Sequence, residues 1–149
     1  MRVYLASSWR NVRFTNVLQA LRGAGHQVYS FREANSAFRW EQLGIGAETC
    51  KSFDFVSALF SDTVQDAFHN DRGGIDWCDV LVMLLPCGNS AHLEAGYAKG
   101  TGKRVYFLLE QTQKPDLMYL FADACYLDLR SLLESLECDD LTMPRVGDA

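Results

Sequence analysis

The stretch PCGNSAHLEAGYAKGTGKRV, residues 86–105, sets Ser90, His92 and Glu94 where a Gly- and Ala-rich helix should begin. Residues of these types in that place either cap the helix or hold a phosphate and attack a carbon. With Ser90 as the N-cap, Glu94 falls at the fourth helical position, where a carboxylate favours the helix dipole by roughly a few tenths of a kcal/mol. Two features set a chemical reading beside that one. The neighbours Ala91, Ala95, Gly96 and Ala98 are small, so the helix can press closely on a sheet and a carboxylate among them would point into a cleft. The preceding Cys87-Gly88-Asn89-Ser90 supplies backbone N–H groups and a hydroxyl at a helix N-terminus, which is a ready anion site.

Asp71 is the second carboxylate out of place. Ala67, Phe68, Ile75 and Cys78 form an apolar helical stripe, and Asp71 lies within it. A carboxylate on such a face is either satisfied locally, by a cap or by Arg72, or serves a function, since unpaired burial costs roughly several kcal/mol. Asp79 reads as a turn residue leading into the next strand. Tyr4 lies in the first strand, as a core tyrosine or as part of a site. Ser7, Ser8 and Arg10 follow it, and hydroxyls with one guanidinium at a strand end suit a phosphate, although Ser8 can also serve as the next helix's cap.

Other chemistries find no support. There is no G-x-G-x-x-G after the first strand and no G-x-x-x-x-G-K-[ST], so dinucleotide and P-loop readings fail. His92-Leu93-Glu94 matches the H-x-E of zinc deaminases, but Pro86-Cys87 comes before it and no later P-C-x-x-C follows. We expect neither a metal nor a cofactor.

The elements that must position these residues alternate between strand and helix. RVYLAS (2–7) reads as a buried strand, and Phe14, Val17, Leu18 and Leu21 as a helix face stopped by Gly23 and Gly25. HQVYSF (26–31) is a second strand. Residues 32–50 form a long connection with a helical turn around Trp40 to Leu43. Helices are expected from Lys51 to Phe60 and from about Asp62 to Cys78. DVLVMLL (79–85) has the continuous apolar character of a parallel strand covered on both faces. A helix over about 91–100, a strand RVYFLL (104–109), a short helix near 115–121, a weak strand at 125–127 and a last helix over 129–136 complete the pattern. This order predicts an α/β, open doubly wound, flavodoxin- or Rossmann-like three-layer fold with a mainly parallel sheet of about five strands. One domain over 1–138 and a flexible tail over 139–149 are expected. Such sheets bind ligands beyond the carboxyl ends of their strands, at the switch point, which selects the loops Ser7 to Asn11, Pro86 to Ser90 and Glu110 to Lys114.

At 149 residues, 48% hydrophobic and 22% charged, the chain has the balance of a soluble globular protein. Its net charge of −5 argues against a nucleic-acid partner, while a small anion can still be held by a few placed donors. No apolar run approaches the roughly 18–20 residues of a membrane span, so no membrane partner is expected. MRVYLASSWR is too short and polar for a signal peptide. Five cysteines without a C-x-x-C pair read as reduced thiols of a cytoplasmic protein.

In combination, VYLASSWR, NDRGGIDWCDVLVML and HLEAGYAKGTGKRV resemble the nucleoside 2-deoxyribosyltransferase family and its hydrolytic branch, the nucleoside 5′-monophosphate N-glycosidases. The resemblance runs from residue 2 to about 110, with 32–60 poorly matched. It rests on Tyr4, on an Asp eight residues before the Asp that opens the hydrophobic strand, and on E-x-G-x-A…G-K taken together. It implies that Glu94 is the nucleophile at the anomeric carbon, Asp71 the acid for the departing base, and Tyr4 the residue that positions the nucleophile. Ser8 and Arg10, with Ser7 beside them, would hold a 5′-phosphate. The family usually places Asp or Ser six residues before the glutamate. Here that residue is Gly88, so the amides of Gly88 and Asn89 together with Ser90 would take over for a phosphate, and a free-nucleoside transferase is disfavoured. The expected substrate is thus a small-molecule nucleotide or nucleoside, and the expected assembly a homodimer or larger. A non-catalytic nucleotide-binding or sensor protein on the same fold stays open at this stage.

Overall fold

The computed structural model describes residues 1–34, 37–45, 50–112, 114 and 116–142. Strand β1 (Arg2–Ala6) is followed by α1 (Phe14–Gly23) and β2 (Gln27–Tyr29). A 3-10 turn at Trp40–Leu43 leads to α2 (Ser52–Ala58) and α3 (Asp62–Trp77). Then come β3 (Val80–Leu84), α4 (Asn89–Gly100), β4 (Arg104–Leu108), a 3-10 helix at Leu117–Phe121, β5 (Ala124–Tyr126) and α5 (Leu129–Thr142).

Local sequence explains most of these elements. Phe14, Val17, Leu18 and Leu21 are the buried face of α1. Gly25 takes φ +87° in the turn that follows, a backbone region in which a β-carbon is strained. All five residues of β3 are buried, as a strand covered on both faces must be.

The strands form one parallel sheet in the order β2-β1-β3-β4-β5. The doubly wound fold predicted from the sequence is therefore the observed one. Alternate residues feed two cores. Val3, Leu5, Val80, Val82, Leu84 and Leu108 pack with α1 and α5, and Tyr4, Ala6, Leu81, Met83 and Phe107 pack with Ile75 of α3 and the alanines of α4. Chain order reverses between β1 and β3, so the loops leaving these two strands flank the switch point.

Several boundaries differ from the sequence reading. The helix expected near 115–121 is a 3-10 helix, started by Asp116, whose carboxylate accepts the Met118 amide at 2.9 Å. α5 continues six residues past 136, because Asp139 is held by Arg104 at 2.6 Å and by the Tyr106 hydroxyl. Residues 139–142, expected in the tail, are thus helical, and 143–149 lie outside the described residues, as do 35–36 and 46–49 of the long connection. No helix among the described residues is long and apolar enough to cross a membrane.

Candidate functional site

Three of the sequence-selected residues meet at the carboxyl edge of the sheet, on the face covered by α3 and α4. Tyr4 is fully buried in β1, beside Glu94 of α4 and Asp71 of α3. Ala91, Ala95 and Ala98 seat α4 against the sheet, and their small size brings Glu94 down into this layer. The two carboxyls are both half-buried. Burial first, and then the Asp71 charge, push Glu94 up to about 7, against a favourable contribution from the Tyr4 hydroxyl. Burial also raises Asp71, which a hydrogen bond from Tyr29 partly offsets. Among the described residues, no lysine or arginine contributes to either group. The Tyr4 phenol is raised far above its ordinary range by burial and by both carboxylates. Its oxygen lies near enough to act on Glu94, yet it completes no hydrogen bond of acceptable geometry among the described residues.

The local explanations for the two carboxylates give way here. Asp71 is not paired with Arg72, whose guanidinium turns to Tyr97 and Asp76. Instead it accepts the Tyr29 hydroxyl at 2.9 Å. Ser90 is not the N-cap of α4. The helix begins at Asn89, with Gly88 in extended geometry at the cap, and no side chain caps it. Glu94 consequently lies beyond the first turn, where the dipole argument has faded.

The anion-binding candidates lie on two loops that are stitched together. Ser7 donates to the Leu84 carbonyl at 2.8 Å, and Asn11 Nδ2 donates to the Pro86 carbonyl at 3.1 Å. Ser8 does not cap α1, which starts at Phe14. Its hydroxyl accepts the Arg10 amide at 3.1 Å and shapes the loop. The Arg10 side chain is exposed, and Gly88, Asn89 and Ser90 are exposed at the open N-terminus of α4. The first amides of that helix are free of side-chain partners, the condition for anion binding there. Ser7 and Ser8 thus already have backbone partners, Ser7 as donor and Ser8 as acceptor.

Sequence reasoning passed over three supporting residues. Tyr29 pairs in register with Tyr4 on the adjacent strand, and the rings stack with centroids 5.1 Å apart and planes 10° apart. Asn11 ties the two loops. Arg32 Nη2 donates to the carbonyls of Ser8, Trp9 and Asn11 at 2.7, 3.0 and 3.1 Å, fixing the path of the first loop. The roles of Tyr29, Asn11 and Arg32 have no local pattern, since each depends on pairing with another segment of the chain.

Comparison with solved structures returns this fold at nearly full length. The chain superposes on the 2-deoxyribosyltransferase from the psychrotolerant bacterium Bacillus psychrosaccharolyticus with a TM-score of 0.63 and 24% identity, over 89% of this chain and 90% of that one. A conserved protein from Enterococcus faecalis V583 gives 0.58 at 16% identity, over 92% and 97%. The CMP N-glycosidase BcmB of Clostridium botulinum aligns over 92% and 99% at 17% identity, with a TM-score of 0.48. No protein-family model and no curated protein matches the chain. The fold is accordingly that of a 2-deoxyribosyltransferase.

Proposed function

We infer that this protein is an enzyme that cleaves the N-glycosidic bond of a nucleoside 5′-monophosphate through a glutamate nucleophile, by hydrolysis, base transfer being the same chemistry with another acceptor. The observation that carries the reading is the pair Glu94 and Asp71, two half-buried carboxyls both raised by burial, with the Asp71 charge raising Glu94 further and no cation bonded to either among the described residues. The fold shared with a 2-deoxyribosyltransferase supports it.

Breaking an N-glycosidic bond builds positive character at the anomeric carbon. Ionised Glu94 attacks that carbon as Asp71 gives its proton to the departing base, leaving an ester between sugar and enzyme. Water then attacks the same carbon, its proton passing to Asp71, and Glu94 leaves as a carboxylate. One carboxyl must hold a proton while the other does not, which is the two-carboxylate logic of retaining glycosidases. Two neighbouring carboxyls that titrate as a pair populate such a state between their two ionisations. Tyr4 steadies the ionised nucleophile. Arg10, Ser8, Ser90 and the amides of α4 receive the 5′-phosphate.

A homodimer or larger assembly completes the proposal. Phe55, Val56, Phe60 and Phe68 lie exposed on α2, α3 and the link between them, and a second copy covering them would give a dimeric mass by light scattering. The functional test is release of free base from a panel of nucleosides and their monophosphates. Charge-assisted bonds to a phosphate should favour monophosphates about tenfold or more in kcat/KM, and Arg10→Ala should remove most of that preference. Equal rates on both would refute the phosphate site, and no base from any substrate would refute the reaction.

A further inference from the structure

Among the described residues, the Asp71 carboxyl accepts one side-chain hydrogen bond, from the Tyr29 hydroxyl to Oδ1 at 2.9 Å. Tyr29 is built into place by three elements. β2 sets it in register with Tyr4, and the parallel stacking at 5.1 Å holds its ring against that residue. On α3, Gly74 lets the ring approach, because a β-carbon there would lie 2.9 Å from its Cγ, Cδ1 and Cδ2. Gly74 sits three residues after Asp71, so the residue that admits the ring and the carboxyl that receives its hydroxyl share one turn of helix.

We propose that Tyr29 is a positioning residue for the general acid, its hydroxyl holding Asp71 Oδ1 so that Oδ2 carries the proton delivered to the leaving base. This rests on the N-glycosidase reading above. A tyrosine O–H bonded to Oδ1 directs any proton on the carboxyl to the other oxygen, and a restrained carboxyl presents that oxygen in one direction. The groups that face Asp71 are Tyr29 from β2, Tyr4 from β1 and Glu94 from α4, while Arg72 beside it turns away to Tyr97 and Asp76. Of these, Tyr29 donates to the carboxylate and favours its ionised form. Loss of the hydroxyl therefore strengthens the hold of Asp71 on its proton.

The experiment uses Tyr29→Phe, which keeps the ring stack, and Gly74→Ala, which keeps the hydroxyl but crowds the ring. Carboxyl 13C NMR follows Asp71 in the protein alone, and base release from a monophosphate is measured against pH. In Tyr29→Phe the Asp71 titration should rise by about one pH unit, the size expected for one lost hydrogen bond to a charged group. The acidic limb of the rate profile should move up with it, and kcat should fall more than KM changes. Gly74→Ala should move the titration in the same direction. A Tyr29→Phe protein that melts lower but keeps the wild-type Asp71 titration and rate profile would overturn the proposal, leaving Tyr29 a packing residue. If the titration moves while the wild type releases base from no nucleotide, the N-glycosidase reading fails and the control of Asp71 by Tyr29 stands.

Discussion

Asp71 and Asp79 are eight residues apart, one within α3 and the other just beyond its end, and the fold surrounds them differently. Asp79 lies at the amino-terminal edge of the sheet, where it accepts the Arg2 amide at 2.8 Å and the Arg2 guanidinium at 2.5 Å. Although burial opposes it, these contacts hold its carboxyl below the usual range. Asp123, on the same edge, is held down likewise by Lys99 at 2.5 Å and the Val105 amide at 2.8 Å. At the carboxyl edge, Asp71 and Glu94 have tyrosine hydroxyls and each other, and both are raised. The two carboxylates at the amino-terminal edge, which hold the fold together, are given cations. A pair kept without them retains a proton near neutrality, at the cost of some stability.

The comparison breaks most sharply at Glu94. Glu94→Gln should lower base release at least about a thousandfold, as loss of a nucleophile does, while the protein stays folded. Near-normal turnover in a folded Glu94→Gln protein would remove Glu94 from the chemistry. Asp71→Asn should cost about 10²–10⁴-fold on substrates with poor leaving bases and far less on those with activated ones. Equal losses on both kinds would assign Asp71 to binding or packing. The same change should let Glu94 titrate at lower pH, since the Asp71 charge is one of the causes that raise it.

Stability sharpens the contrast further. The folded-state pKa of Glu94 is raised from 4.5 to about 7. Its contribution is therefore fully present below the lower value and is lost as pH rises through the upper one, a decline on the order of 3 kcal/mol. Denaturant melts from pH 4 to 8 should show this decline in the wild type and a flatter curve in Glu94→Gln. Asp79 works in the opposite sense, stabilising above its unfolded pKa and failing only in acid. Asp79→Asn should cost ~1 kcal/mol at neutral pH, in keeping with a partly exposed ion pair, and leave base release unchanged.

Glu94, Asp71 and Tyr4 were legible because each is a polar group set among apolar or small residues, a conflict visible in a local window. Tyr29 was not, since its role follows from the register of β2 on β1, a non-local pairing. Arg32 and Asn11 act through backbone carbonyls of other segments, and such contacts have no sequence signature. Ser90 was misplaced because serine favours N-caps on average, whereas α4 starts two residues earlier than that preference implies, with Gly88 at the cap. The sheet itself was readable from apolar runs and helical periods. Its short elements were less so, because β5 and the 3-10 helix before it are three and five residues long, too brief for a period to show.

The most direct test is the pH dependence of base release from a monophosphate by the wild type between pH 4 and 9. A carboxyl pair that must share one proton gives a bell-shaped profile, whichever member holds that proton. The basic limb should fall near pH 7, where Glu94 titrates, and the acidic limb above the usual aspartate range, because burial raises Asp71. A rate that climbs without a maximum through pH 9, or no base released at any pH, would contradict the account.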